Sequence, residues 1–77
     1  MPKPTRITNS IRALRFARGE MTQAELAERV GVTRQTVIAI EQGRYSPSLE
    51  MAFQIAHVFK VGIDEVFQYP GSEEESR

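Results

Sequence analysis

The sequence predicts an all-α fold, a compact domain of five short helices, and three observations predict it. Apolar residues recur at intervals of three and four rather than two across most of positions 9–68. Residues suited to capping helix starts, Thr22 with Glu25, Thr33 and Ser48, stand just before those repeats. Glycines fall after or between them, at Gly19, Gly31, Gly43 and Gly62. No strand pattern competes.

The elements follow in order. Met1 to Thr8 holds two prolines and is expected to be a flexible lead. A first helix is expected over Asn9 to Arg18, with Ile11 and Leu14 inward and Gly19 closing it. A second should begin at Gln23, because Thr22 and Glu25 can each bond the other's free backbone N–H. Leu26, Ala27 and Val30 give that helix one apolar face, and Ala27 is small enough to admit a close neighbour. Gly31 then supplies a left-handed stop. Val32 returns the chain to the core, Thr33 caps a third helix with Val37 and Ile40 inward, and Gly43 ends it. Arg44 to Pro47 is a connector. Ser48 caps a fourth helix in which Leu49, Ala52, Ile55, Ala56 and Phe59 repeat at helical spacing. Gly62 begins a fifth, Ile63 to Gln68. The domain is thus expected over residues 9–69, with an acidic, disordered tail over 70–77 that reads SEEES after Pro70 and Gly71.

Composition bounds the function. At 77 residues and 40% hydrophobic content the chain makes one domain with a modest core. With no cysteine there is neither a disulfide framework nor a cysteine-based zinc site. The single histidine, His57, leaves no metal cluster and no Cys–His pair, and no glycine-rich phosphate loop follows a strand. An enzyme, a cofactor and a metal are therefore not expected, and five short helices leave little room for a small-molecule pocket. With no long apolar run and no signal-peptide core, the expected location is the cytoplasm, away from membranes. Net charge is zero, but its distribution is uneven. Residues 1–47 carry eight basic and four acidic side chains, and residues 48–77 carry two and six. The positive half contains the second and third helices, and phosphate neutralisation dominates non-specific DNA affinity.

Two short amphipathic helices on either side of one glycine, Gln23 to Glu41, have the spacing of a helix-turn-helix, which predicts a DNA reader. Four blocks carry a wider resemblance: TQAELA at Thr22 to Ala27, VGVTRQTV at Val30 to Val37, IEQGRYSPSL at Ile40 to Leu49, and IDEVF at Ile63 to Phe67. In that order and at those distances they resemble the Cro and lambda-repressor type of regulator, the xenobiotic-response-element family of bacteria and phages. The likeness spans Ile7 to Phe67.

With Val37 and Ile40 inside, the third helix would present Arg34, Gln35, Ile38 and Ala39 outward. A guanidinium matches the O6 and N7 acceptors of guanine, and a carboxamide the N6 and N7 edge of adenine, so Arg34 and Gln35 are the candidates for base readout. Thr33 and Thr36 could meet a phosphate or a base. Ile38 and Ala39 depart from the polar residues many family members carry there. They predict packing on thymine methyl groups, or else contact of Ile38 with a neighbouring helix or partner chain. Gln23 begins the helix that crosses the backbone, where free N–H groups favour a phosphate, and the resemblance implies the same. Thr22 joins it. Arg44 is placed for phosphate, assisted by Tyr45 and Ser46, and Lys3 and Arg6 could form a basic arm.

One such motif reads few bases, so a homodimer on a palindromic DNA duplex is expected, most simply a repressor. The expected dimer surface is Val61, Ile63, Val66, Phe67 and Tyr69, a region through which family members often pair; the alternative is that these residues close the monomer core. The competing class is a protein-interaction module: an antitoxin-type DNA-binding protein whose acidic tail engages a partner protein, or a helix-turn-helix that has stopped binding DNA.

Overall fold

A computed structural model of the chain describes residues 5–44 and 46–70. Seven elements follow one another: β1 (Thr8–Asn9), α1 (Ile11–Ala17), α2 (Gln23–Val30), α3 (Arg34–Glu41), α4 (Leu49–Phe59), α5 (Ile63–Val66) and β2 (Phe67–Gln68). The five expected helices are present, and α2 packs on both α3 and α4 while α5 packs on α4. Among the described residues no helix is long and apolar enough to cross a membrane.

Local chemistry explains where the central helices start and stop. The Thr22 hydroxyl accepts from the Glu25 amide at 3.0 Å, and the Glu25 carboxylate accepts from the Thr22 amide at 2.8 Å, completing the reciprocal cap on α2. Gly31 stops α2 at φ 88°, a left-handed conformation that a side chain would strain. Thr33 and Ser48 cap α3 and α4 through the amides of Thr36 and Met51. At the end of α3 the amides of Gly43 and Arg44 return to the carbonyls of Ile40 and Ala39, each at 3.0 Å, in a Schellman arrangement.

The core gathers one face from every helix. Ile11, Leu26, Ile55, Phe59 and Val66 are the largest fully buried side chains, joined by Ala27, Val37, Ile40 and Ala56. Burying each large apolar side chain stabilises the fold by roughly 1.5–3 kcal/mol. Met21, in the loop before α2, is also buried. Leu49 corrects the expected repeat: it begins α4 but is 71% exposed, and Met51 and Val58 pack on the core from the same helix instead.

A second correction concerns the ends. β1 and β2 pair antiparallel, with Thr8 opposite Gln68 and Asn9 opposite Phe67, although the sequence shows no strand pattern. Two-residue strands carry no periodicity to read. The fifth helix therefore stops at Val66, two residues before its expected end, because Phe67 turns to extended geometry (φ −124°, ψ 139°). The first helix starts at Ile11 rather than Asn9, whose side-chain oxygen accepts from the Ile11 amide at 3.1 Å. The Ser10 amide donates to the Val66 carbonyl at 2.8 Å, so the two ends of the domain are tied together. Thr8, expected at the end of the lead, belongs to this ladder.

Lys60 ends α4 in the left-handed region, at φ 59°, with an exposed side chain. A residue with a Cβ pays roughly 1–2 kcal/mol there, against about 0.5–1 kcal/mol for the extra unfolded-state freedom of glycine. Lys60→Gly is therefore expected to raise stability by about 0.5–1 kcal/mol. A urea midpoint that falls instead would show that the lysine side chain contributes contacts outweighing the backbone strain.

Candidate functional site

Arg34 and Gln35 occupy the first turn of α3 and are both exposed, whereas Val37 and Ile40 of the same helix are buried. The helix thus turns one face to the core and offers its opening turn outward. Thr33 is exposed and Thr36 half-buried, and their hydroxyls lie 3.0 Å apart, each engaged by the other. Ile38 and Ala39 are half-buried, so only part of each side chain reaches the surface. Arg44 is exposed beyond the end of α3, its backbone fixed by the bond to the Ala39 carbonyl. Ser46 is exposed, while Tyr45 and Lys3 lie outside the described residues.

What sets the attitude of α3 is a buried charge pair that the sequence reading passed over. Arg15, on α1, donates from Nε to Glu41 Oε2 at 2.7 Å and from Nη2 to Oε1 at 3.2 Å, with side-chain exposures of only 8% and 10%. The remaining guanidinium nitrogen donates to the Met21 carbonyl at 2.8 Å. Gln23 also reaches this carboxylate, its Nε2 donating to Glu41 Oε1 at 3.2 Å. Asn9 adds a second anchor by donating to the carbonyls of Ile40 and Glu41 at 3.0 and 3.4 Å. No buried side-chain polar atom among the described residues lacks a partner. The signal for the pair was present: Arg15 falls four residues after Ile11 on α1, and Glu41 four after Val37 on α3, so each charge follows a buried apolar residue by one turn.

An open groove of about 700 Å³ runs along this surface between α1 and the starts of α2 and α3. Arg12, Thr22, Gln23 and Arg34 line it together with Glu20 and Glu41, so cationic and amide donors from three helices share one trough with two carboxylates. Thr22 is exposed and its hydroxyl is already engaged in the α2 cap. Phe16, half exposed nearby, lies beneath the guanidinium groups of Arg12 and Arg15 at 5.5 and 5.7 Å from its ring centre. Arg6, which precedes β1, rests over the ring of Tyr69, which follows β2, at 5.7 Å.

The expected dimer cluster is distributed differently. Val66 is fully buried in the core, which removes its side chain from any surface. Val61, Ile63 and Phe67 are half-buried and pack against that core, leaving Tyr69, 52% exposed, as the largest outward member. A helix as short as α5 spends most of its apolar area closing its own domain.

Known proteins share this arrangement. A family model described as helix-turn-helix matches residues 11–66. An uncharacterised HTH-type transcriptional regulator of Methanocaldococcus jannaschii is 53% identical over 53 residues, which cover 69% of this chain and 80% of that protein. A Bacillus subtilis protein described in the same words, YgzD, is 49% identical over 59 residues, 77% of this chain and 88% of its own. Such relatives thus occur in archaea as well as in a bacterium. Among solved structures, a hypothetical transcription factor, NHTF, from Neisseria has a TM-score of 0.68 at 25% identity, over 87% of this chain and 76% of that one. A Bacteroides fragilis protein with a TM-score of 0.70 at 24% identity, over 80% of this chain and 98% of its own, shares the fold.

Removing one member of a buried, hydrogen-bonded ion pair strands the other, at a cost of about 3–5 kcal/mol, whereas an apolar replacement of both is often neutral. Arg15→Met is accordingly expected to lower the unfolding free energy by about 3 kcal/mol or more, with Arg15→Met/Glu41→Leu recovering most of the loss. Urea titrations of the three proteins check it, and a double variant no better than the single one would overturn this account of the pair.

Proposed function

Because the chain belongs to the Cro/cI-type helix-turn-helix family of transcriptional regulators, we propose that it binds double-stranded DNA sequence-specifically, as a homodimeric repressor on a palindromic operator in the cytoplasm. The observation that carries this reading is α3 itself, which is anchored at its C-terminal end by Arg15 and Asn9 and leaves Arg34 and Gln35 exposed at its start. In a helix-turn-helix the second helix enters the major groove and its first turn meets base edges. Arg34 reads guanine and Gln35 reads adenine, each good bidentate contact contributing about 1–3 kcal/mol of discrimination. The exposed parts of Ile38 and Ala39 lie against thymine methyl groups. Thr33 and Thr36 contribute a hydroxyl contact once their mutual bond opens.

The phosphate backbone is held by Thr22 and Gln23 at the start of α2, and by Arg44 after α3. Gln23 has a double task, since its amide nitrogen already bridges to Glu41. A phosphate beside it therefore meets a side chain that is oriented before the DNA arrives, which lowers the ordering cost of the contact. The net charge of zero is compatible with this role because the basic excess lies in residues 1–47. Occupying a promoter excludes polymerase, and control then rests on the concentration of the protein or on a partner. The competing reading, an antitoxin-type protein, rests on the acidic residues after Pro70, which lie outside the described residues; an adjacent gene for a small basic protein would favour it.

Selection of bound sequences from random duplex DNA at near-physiological salt tests the reading. Enrichment of a palindrome with half-sites about one helical turn apart is expected; no enrichment would overturn sequence-specific binding by this chain alone. With that site in hand, Arg34→Ala should relax preference at one base position, by about 1–3 kcal/mol. Arg44→Ala should weaken binding evenly across sequences and reduce the salt slope by about one. Equal loss of specificity from both would refute the division into base and backbone contacts. Repeating the selection with Ile38→Asn should weaken preference for A·T pairs under the middle of α3, and an unchanged logo would exclude the thymine contact.

A further inference from the structure

Four large apolar side chains are exposed among the described residues: Phe16, Leu49, Phe53 and Tyr69. Two of them have a guanidinium from the same chain over the ring. Arg12 and Arg15 lie over Phe16, and Arg6 lies over Tyr69. Leu49 and Phe53, 71% and 54% exposed, have no such cationic neighbour among the described residues, and at a spacing of four they stand one turn apart on the same face of α4. Beside Phe53 runs an open groove of about 370 Å³, shared with Arg29, Glu50, Gln54, His57 and Val58.

We propose that this outward face of α4 is where a second copy of the chain docks about a two-fold axis, Leu49 and Phe53 at the centre and Arg29 of each copy against Glu50 of the other. The proposal rests on the homodimer reading above and supplies its surface.

The occupant follows from charge. Arg29 and Glu50 line the same groove, one cationic and one anionic, and neither belongs to an ion pair, since Arg15–Glu41 is the ion pair found among the described residues. A face that carries one charge of each sign beside apolar side chains can be its own complement under a two-fold operation, in which residue i meets residue j and j meets i. A strongly basic or acidic partner would leave one of the two charges opposed by its like. The groove beside Phe53 offers the apolar side chains of the other copy a place to insert.

Position supports the same occupant. α4 begins at Leu49, after the short connector that follows α3, so this face adjoins the end of α3 in the chain. The α5 region offers less, with Val66 in the core and three of its neighbours packed on it. Two apolar side chains fall well short of the ~800 Å² per partner of a standard interface. The free dimer is therefore weak, and adjoining half-sites on one duplex strengthen it by raising the effective concentration of one copy at the other.

The test is sedimentation equilibrium of the full chain up to roughly 500 µM, a range that captures weak dimers, with and without the selected palindrome. Phe53→Glu is expected to weaken dimerisation at least about tenfold, a difference of 1.4 kcal/mol. Arg29→Glu and Glu50→Arg should each weaken it several-fold, and the two swaps together should restore it, as coupled partners require. Thermal unfolding of each variant reports that it folds, and binding to a single half-site should be unchanged in Phe53→Leu, a conservative control. A chain that stays monomeric with the palindrome present, a dimer indifferent to Phe53→Glu, or a double swap no better than the singles would each overturn the proposal. In those cases retained half-site binding leaves the DNA reading standing, whereas loss of half-site binding by the unaltered chain would count against that reading alone.

Discussion

The guanidinium of Arg15 and the carboxylate of Glu41 form the contact on which the geometry of this domain turns. Each group is expensive to remove from water, and together they recover that cost only because three N–H groups meet the carboxylate and a carbonyl takes another proton of the guanidinium. Such a pair is a poor source of net stability and a good source of direction, because a fork of parallel hydrogen bonds tolerates little rotation. Apolar packing through Val37 and Ile40 would let α3 roll by some degrees around its axis. The bidentate pair at Glu41 sets the angle, and with it the direction in which the opening turn of the helix faces.

The same contact joins otherwise separate parts of the sequence. α1 supplies Arg15, the loop before α2 supplies the Met21 carbonyl, α2 supplies Gln23, and α3 supplies Glu41. The first residue of α2 and the last residue of α3 are thereby joined at one carboxylate. Under the function proposed above, a phosphate drawn to Gln23 would act on α3 through two hydrogen bonds, which would connect backbone contact and base contact mechanically. Asn9 works on the same stretch, adding a second donor to the Ile40 carbonyl and reaching that of Glu41 near the helix end, where acceptors run short of intrahelical partners.

How far the fold can be read from sequence follows the range of the interactions involved. The caps at Thr22, Thr33 and Ser48 and the stop at Gly31 involve atoms within four residues of one another, so the chemistry that makes them is printed side by side in the chain. The inward rows of α2 and α3 are legible for the same reason, because Leu26, Ala27, Val37 and Ile40 need only an apolar neighbour of any identity. The ladder between Thr8–Asn9 and Phe67–Gln68 is not, since its partners are about sixty residues apart and each strand is too short to alternate. Leu49 misleads because helical spacing marks a face without saying whether another element covers it. Arg34 and Gln35 could be singled out as candidates from the motif, but the pair that orients them could be noticed only by asking why a charge follows a core residue by one turn.

The ladder also orders events in time. Contacts between α2 and α3 close over short stretches of chain and can form as soon as that segment exists. The Ser10 amide, by contrast, has no native partner until Val66 is present, and Asn9, which anchors α3, is aligned by pairing with Phe67. On a ribosome, where the N-terminal part emerges first, α3 would be formed but incompletely braced until β2, through Gln68, had cleared the exit tunnel. The domain's earliest residues thus wait for its latest, and a nascent chain carries the motif before it can hold that motif at its final angle.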